Sequence, residues 1–299
     1  MRGVVVADLP AMLANPVVAR LAAGDMCPDS FCGLVVVCNW PASAAVQRQH
    51  DTAIRAPLAA LPRSAYVYPS SSLHCTIATL RAFTAGPLDR ASEVPRWAEV
   101  LDAAARMPSW PRGHLTLRMR APTFEGAAGV VRYEEISPGG KIAAMRACLV
   151  AAIASAGGAA AIGGGDRGAA RALPGASAGE PGPHVPDIIH STVLRWAAEP
   201  SAAEVAAVRA AFEQISSTWV PVECTLEVSA VCAVCEDTPY MHLPPAVRAQ
   251  KVFWKPRRSP WSRVTPAALG FAALAVGLAV MFRARRAFLR YGMLVRLLP

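Results

Sequence analysis

Leu73-His74-Cys75-Thr76-Ile77 and Ile189-His190-Ser191-Thr192-Val193 share one pattern: apolar, histidine, small, threonine, apolar. In a β-strand, residues i and i+2 face the same way. His74 would therefore stand beside Thr76 on one face while Leu73, Cys75 and Ile77 enter a core, and His190 and Thr192 would be sorted likewise. Two such strands facing each other across a groove offer two imidazoles and two hydroxyls to one ligand. A phosphodiester suits that set. One neutral histidine takes a proton from the attacking oxygen, the other, protonated, gives one to the leaving oxygen, and the threonine hydroxyls hold the non-bridging oxygens. This division of labour requires no metal and no cofactor, and none is expected.

Working outward, strand and helix signals alternate on both sides of each motif. Gly33 to Trp40 is a buried-strand run, Ala42 to Ala60 suits a helix, and Ala65 to Pro69 and Leu73 to Leu80 are short strands. Glu93 to Met107 reads as a helix, Leu115 to Arg120 and Val130 to Glu134 as strands, and Lys141 to Ser155 as a helix. Later come a strand at Ile188 to Trp196, a helix from Ser201 to Ile215 opening on a capping-box Ser201-x-x-Glu204, and a strand or bent strand pair over Val222 to Val234. The chain thus falls into two halves, each with strands, a helix and one His-x-Thr strand.

Two other histidines match His-x-Thr. His50-Asp51-Thr52 lies in a helical stretch, where i and i+2 point roughly 200° apart, so it reads as a solvated surface residue. His114-Leu115-Thr116 opens a strand whose polar face (His114, Thr116, Arg118, Arg120) reads as a solvated one. Cys232-x-x-Cys235 is a lone pair without two further zinc ligands, and strand alternation from Val222 to Val234 accounts for it. Tyr66, Tyr68, Trp196 and Tyr240 lie near the motifs and could stack a base, with core packing the commoner role for such residues.

With these residues in place, the chain resembles the two-histidine phosphoesterase superfamily over about 33 to 243. That superfamily includes RNA 2′,3′-cyclic phosphodiesterases and 2′-5′ oligonucleotide phosphodiesterases. The resemblance implies a bilobal, pseudo-symmetric α+β fold in which two antiparallel sheets face a central groove with helices outside. It further implies His74 and His190 as the catalytic pair, Thr76 and Thr192 as substrate-binding residues, and a nucleotide or short RNA as substrate. The alternative is an inactive, membrane-tethered module that binds nucleotide or RNA in the same groove. The 116-residue separation of the histidines is long, and the Gly/Ala-rich stretch 157–183, read as a flexible insertion, accounts for roughly 25 of those residues.

The remaining features lie at the ends. Residues 1–249 carry a net charge of −1 and residues 250–299 a net +10, so the overall +9 belongs to the tail and is no sign of a nucleic-acid groove. Val264 to Phe282 is a run of 19 uncharged, mainly apolar residues, spanning roughly 28 Å as a helix against a hydrocarbon core of about 30 Å. Trp254, Trp261 and Arg263 flank it on one side and Arg283, Arg285 and Arg286 on the other. The expected organisation is an N-terminal extension (1–32), the catalytic domain (33–244), a basic linker (245–263), one membrane-spanning helix (264–282) and a basic tail (283–299). The lipid bilayer is then a partner through 264–282, with the domain facing the cytosol; no protein partner is inferred. The short span with its basic trailing segment resembles outer-mitochondrial-membrane anchors more than secretory ones. Asp8 interrupts the N-terminus before a long apolar run forms, so no cleaved signal peptide is expected. The eight cysteines read as reduced, mostly buried thiols.

Overall fold

A computed structural model describes residues 13–25, 32–83, 88–158 and 183–256. It is an α+β arrangement of two antiparallel sheets. Sheet one is built from β1 (Gly33–Cys38), β3 (Cys75–Arg81), β8 (Cys232–Glu236) and β9 (Val252–Trp254), in the order β3-β1-β8-β9. Sheet two is built from β2 (Ala65–Val67), β4 (His114–Phe124), β5 (Ala128–Glu135), β6 (His190–Trp196) and β7 (Val222–Glu227), in the order β2-β6-β5-β4-β7. The two histidine motifs thus belong to different sheets.

Helices cover the sheets. A short α1 (Pro16–Ala22) touches β6, and α2 (Ala44–His50) lies on β7. α3 (Arg90–Arg106) and α4 (Lys141–Ile153) pack together over sheet one, while α5 (Ala202–Ser217) lies on β4. The capping box at Ser201 and Glu204 forms as the sequence indicates. All six residues of β1 are buried because both of its faces are covered. Leu34, Val36 and Cys38 join the large core under the helices, and Val35 and Val37 join a smaller cluster with Trp40, Cys232, Val234, Met241 and Leu243. Gly129 in β5 shows how tightly the second layer is built, since a Cβ there would lie 2.3 Å from Phe212 Cζ of α5. Gly129→Ala is expected to destabilise the fold by about 1–3 kcal/mol through overpacking, read as a lowered Tm in a circular-dichroism melt.

Several expectations need correction. His50 is not a surface residue: it is fully buried, on a stripe with Val46, Ile54 and Leu58 at four-residue spacing, and α2 turns that stripe inward. The helix expected over 42–60 widens to a π turn at Asp51–Arg55 and ends in a 3-10 turn from Pro57, which lacks the N–H needed to continue an α-helix. The single alternating face expected over 222–234 breaks at the 3-10 turn Val228–Ala230. β7 closes sheet two and β8 enters the middle of sheet one, where every position is buried. Cys232 and Cys235 fall in different core clusters and so point to opposite faces, which no single metal ion could bridge. Residues 245–256, expected as linker, belong to the fold, because β9 pairs with β8 and Trp254 is buried against Trp110. The apolar segment 264–282 lies outside the described residues, as do most of the insertion and the basic tail. No helix among the described residues is long and apolar enough to cross a membrane.

Candidate functional site

His74 immediately precedes β3 and His190 opens β6, and these two strands meet at the seam between the sheets. Leu73, Cys75 and Ile77 are buried, as are Ser191 and Val193, while His74, Thr76, His190 and Thr192 are half-buried. The pleat therefore sorts the side chains as the pattern indicates. Thr76 pairs with Val37, so it shares the face of sheet one that carries the smaller apolar cluster, and Trp40, Met241 and Leu243 line that face.

His74 Nδ1 donates to the Ser72 carbonyl at 2.8 Å. A carbonyl can only accept, so in the neutral ring the lone pair sits on Nε2. Burial pushes the His74 pKa down to about 4; the Ser72 hydrogen bond opposes this, and the nearby His190 and His242 add to it. His190 is also pushed below the ordinary histidine value, first by burial and then by Arg195 and Arg146. The Ile188 carbonyl and Glu125 offset part of that shift, although the buried Nδ1 of His190 completes no hydrogen bond. Both imidazoles are thus neutral at pH 7, and a charge on His190 is felt at His74.

Three further groups converge here that sequence reasoning missed or ranked low. Strict alternation would send Arg195 into the core with Ser191 and Val193. A register shift between Gly129 and Val130, opposite β6, reverses the faces beyond it, and Arg195 comes to share a face with its partner Tyr66. The signal was available: an arginine inside the apolar run Val193-Leu194-Arg195-Trp196 needs a reason. Arg195 lies 5.3 Å above the Tyr240 ring, and its Nε is buried without a hydrogen-bond partner among the described residues. The Tyr68 hydroxyl is likewise buried and unpartnered, and burial raises its pKa.

His242 is the third group. Its Nδ1 donates to the Tyr240 carbonyl at 3.1 Å, and in the neutral ring Nε2 accepts from the Tyr66 hydroxyl at 3.1 Å. It packs against Tyr68 at 5.1 Å between centroids. Tyr240 and Met241 both adopt positive φ, 51° and 62°, a strained conformation for side-chain-bearing residues. The turn is held by the buried Glu236 carboxyl, which accepts from the Met241 N–H at 3.0 Å and whose pKa burial pushes up to about 7. Nothing in the local sequence announces this turn.

The other two His-x-Thr matches stay apart from this cluster. His114 pairs with Glu227 on the edge strand β7, and its own strand β4 is two strands from β6; Thr116 contacts Thr225 at 3.1 Å. Arg118 and Arg120 there are matched by Glu223 and Glu134, so the face is solvated and close to neutral. His50, buried under α2, has its pKa lowered by burial, partly opposed by Asp51 at 3.5 Å.

No protein-family model matches this chain, and no curated protein matches it in sequence. Among solved structures it is similar to TT0787 of Thermus thermophilus, with 15% identity and a TM-score of 0.38. A crystal structure described as a phosphoesterase gives 16% and 0.35, and E. coli LigT complexed with 3′-AMP gives 15% and 0.36. In all three comparisons the similarity covers 68% of this chain and 86% of the other. At those values the likeness is loose, and the functional reading rests on the residues of the site itself.

Proposed function

We propose that this chain is a metal-independent phosphodiesterase that hydrolyses a 2′,3′-cyclic phosphate or a 2′-5′ phosphodiester in a nucleotide or short RNA. The observation that carries the reading is the convergence of two neutral imidazoles with Arg195 Nε and the Tyr68 hydroxyl, buried donors without a partner among the described residues. Buried donors left unpaired are costly, and an anion seated between them offsets that cost. His74, held in the Nε2-basic tautomer, takes the proton of an attacking water as its oxygen bonds to phosphorus. The bond from phosphorus to the ribose oxygen breaks, and His190, protonated as imidazolium in the active form, gives its proton to that oxygen. Thr76, Thr192 and Arg195 hold the non-bridging oxygens. The near-neutral charge of residues 1–249 favours a short substrate over long RNA. The apolar run 264–282 between arginine clusters supports a membrane tether, and a cytosol-facing domain is part of the same proposal.

The full chain in detergent, with EDTA present, is to be incubated with 2′,3′-cyclic nucleotides, cyclic-phosphate-ended oligonucleotides and 2′-5′ oligoadenylates, and the products resolved by mass. Opening of a cyclic phosphate or cleavage of a 2′-5′ linkage is expected. Binding of these compounds without any product would replace the hydrolase reading with that of a binding module. Arg195→Met is expected to raise KM about tenfold or more, the loss of one charge-assisted contact, with a smaller effect on kcat.

A further inference from the structure

β3 and β6 belong to different sheets, so no continuous ladder fixes the distance between His74 and His190. β3 is the edge strand of sheet one, and its outward carbonyls need partners from elsewhere. The His184 N–H meets the Thr79 carbonyl at 2.8 Å in an isolated bridge, and nearer the motif a side chain supplies two more. Arg146, near the middle of α4, donates from Nη2 to the Thr76 carbonyl at 3.1 Å and from Nε to the Ile77 carbonyl at 3.3 Å. The same Nη2 donates at 3.0 Å to the Ile188 carbonyl, two residues before His190. A single guanidinium therefore grips the backbone of both motif segments. A second tie crosses the same seam. Ser191, buried between His190 and Thr192, donates from its hydroxyl to the carbonyl of His74 itself.

We propose that Arg146 and Ser191 are positioning residues, a two-point staple that sets the separation of the two imidazoles. The inference rests on the phosphodiesterase reading for its kinetic consequence, but not for its geometry. Among the described residues, neither makes a hydrogen bond to either imidazole. Arg146 spends its hydrogen bonds on backbone, and Ser191 points to the side opposite His190. A planar, rigid fork is what the task requires, because a lysine offers one charged point and cannot reach three carbonyls at fixed spacing. Reacting groups displaced by about 1 Å lose roughly 10²-fold in rate, so loosening the staple costs kcat rather than affinity.

The test compares wild type, Arg146→Ala, Arg146→Lys and Ser191→Ala in the full chain. Arg146→Ala is expected to lose about 10²-fold in kcat with KM nearly unchanged, and to recover part of it when guanidinium ion is added. Arg146→Lys is expected to stay impaired, and Ser191→Ala to lose less than Arg146→Ala. Unchanged kcat in Arg146→Ala, or a loss that guanidinium leaves unrepaired and that appears mainly in KM, overturns the proposal. A crystal structure of Arg146→Ala decides the geometry independently of turnover. A widened or poorly ordered imidazole pair is expected, and an unaltered separation refutes the staple. A wild-type chain without turnover would sink the phosphodiesterase reading while leaving that structural comparison decisive.

Discussion

Replacing either His74 or His190 with alanine is expected to reduce turnover of the cleaved diester by about 10²–10⁴-fold, with the circular-dichroism spectrum unchanged. The two residues do different work. His74 is held neutral by burial and oriented by the Ser72 carbonyl, so its Nε2 is free to take a proton across the physiological range. His190 sits at the opposing strand and must be charged to serve the leaving oxygen. Because both act on one proton inventory in one displacement, the double variant should fall no further than roughly the worse single variant. Independent, multiplicative losses would mean that the two rings do not act in one step. Steady-state kinetics on the four proteins provide the comparison. A folded single variant with full turnover would remove that histidine from the mechanism.

The pH dependence of kcat/KM is expected to be bell-shaped and displaced to the acid side. The general base works only when deprotonated, so activity rises as pH passes upward through the His74 value of about 4. The general acid works only when protonated, so activity falls as pH passes upward through the His190 value, which burial holds below the ordinary histidine value of 6.5. The maximum therefore lies between about 4 and 6.5. Binding of an anionic diester favours both imidazolium forms, so the kcat profile should move to higher pH than that of kcat/KM. Folding stability declines on the same, acid side of the profile. His50 and His74 bind protons less readily folded than unfolded, so their contribution to stability is present above about pH 6.5 and is lost as pH falls through their folded values. Return to neutral pH separates the two effects, since titration of the site reverses at once and unfolding is visible by circular dichroism.

Much of this site is written in short patterns. The i, i+2 pleat was enough to place His74 with Thr76 and His190 with Thr192, and to send Cys75 and Ser191 to the other side. The long buried run at β1 and the capping box at Ser201 were equally readable, because each depends on neighbours within a few residues. What escaped depends on register. Arg195 faces the site only because a bulge reverses the later part of β6, and a bulge opposite Gly129 leaves no mark in the sequence of β6 itself. For His50, the direction of Thr52 is no guide to burial. Its four-residue spacing from Val46 and Ile54 would have put it inside. His242 was invisible for a different reason: its position follows from two consecutive positive-φ residues held by a buried carboxyl, far along the chain from the first motif. The division of Val222 to Glu236 between two sheets was hidden by an alternation that stays apolar on both sides of the turn.

The central claim is that His74 and His190 face one phosphodiester. Titration of the imidazole Cε1–H signals by NMR, with and without a saturating nucleoside 2′- or 3′-phosphate, tests it most directly, with His74→Ala and His190→Ala providing the assignments. In the free protein both rings should titrate below the ordinary histidine value, His74 near 4. With the phosphate bound, both values should rise together, because one anion stabilises both protonated rings. A phosphate that raises one histidine and leaves the other where it was would contradict a shared site and, with it, the mechanism.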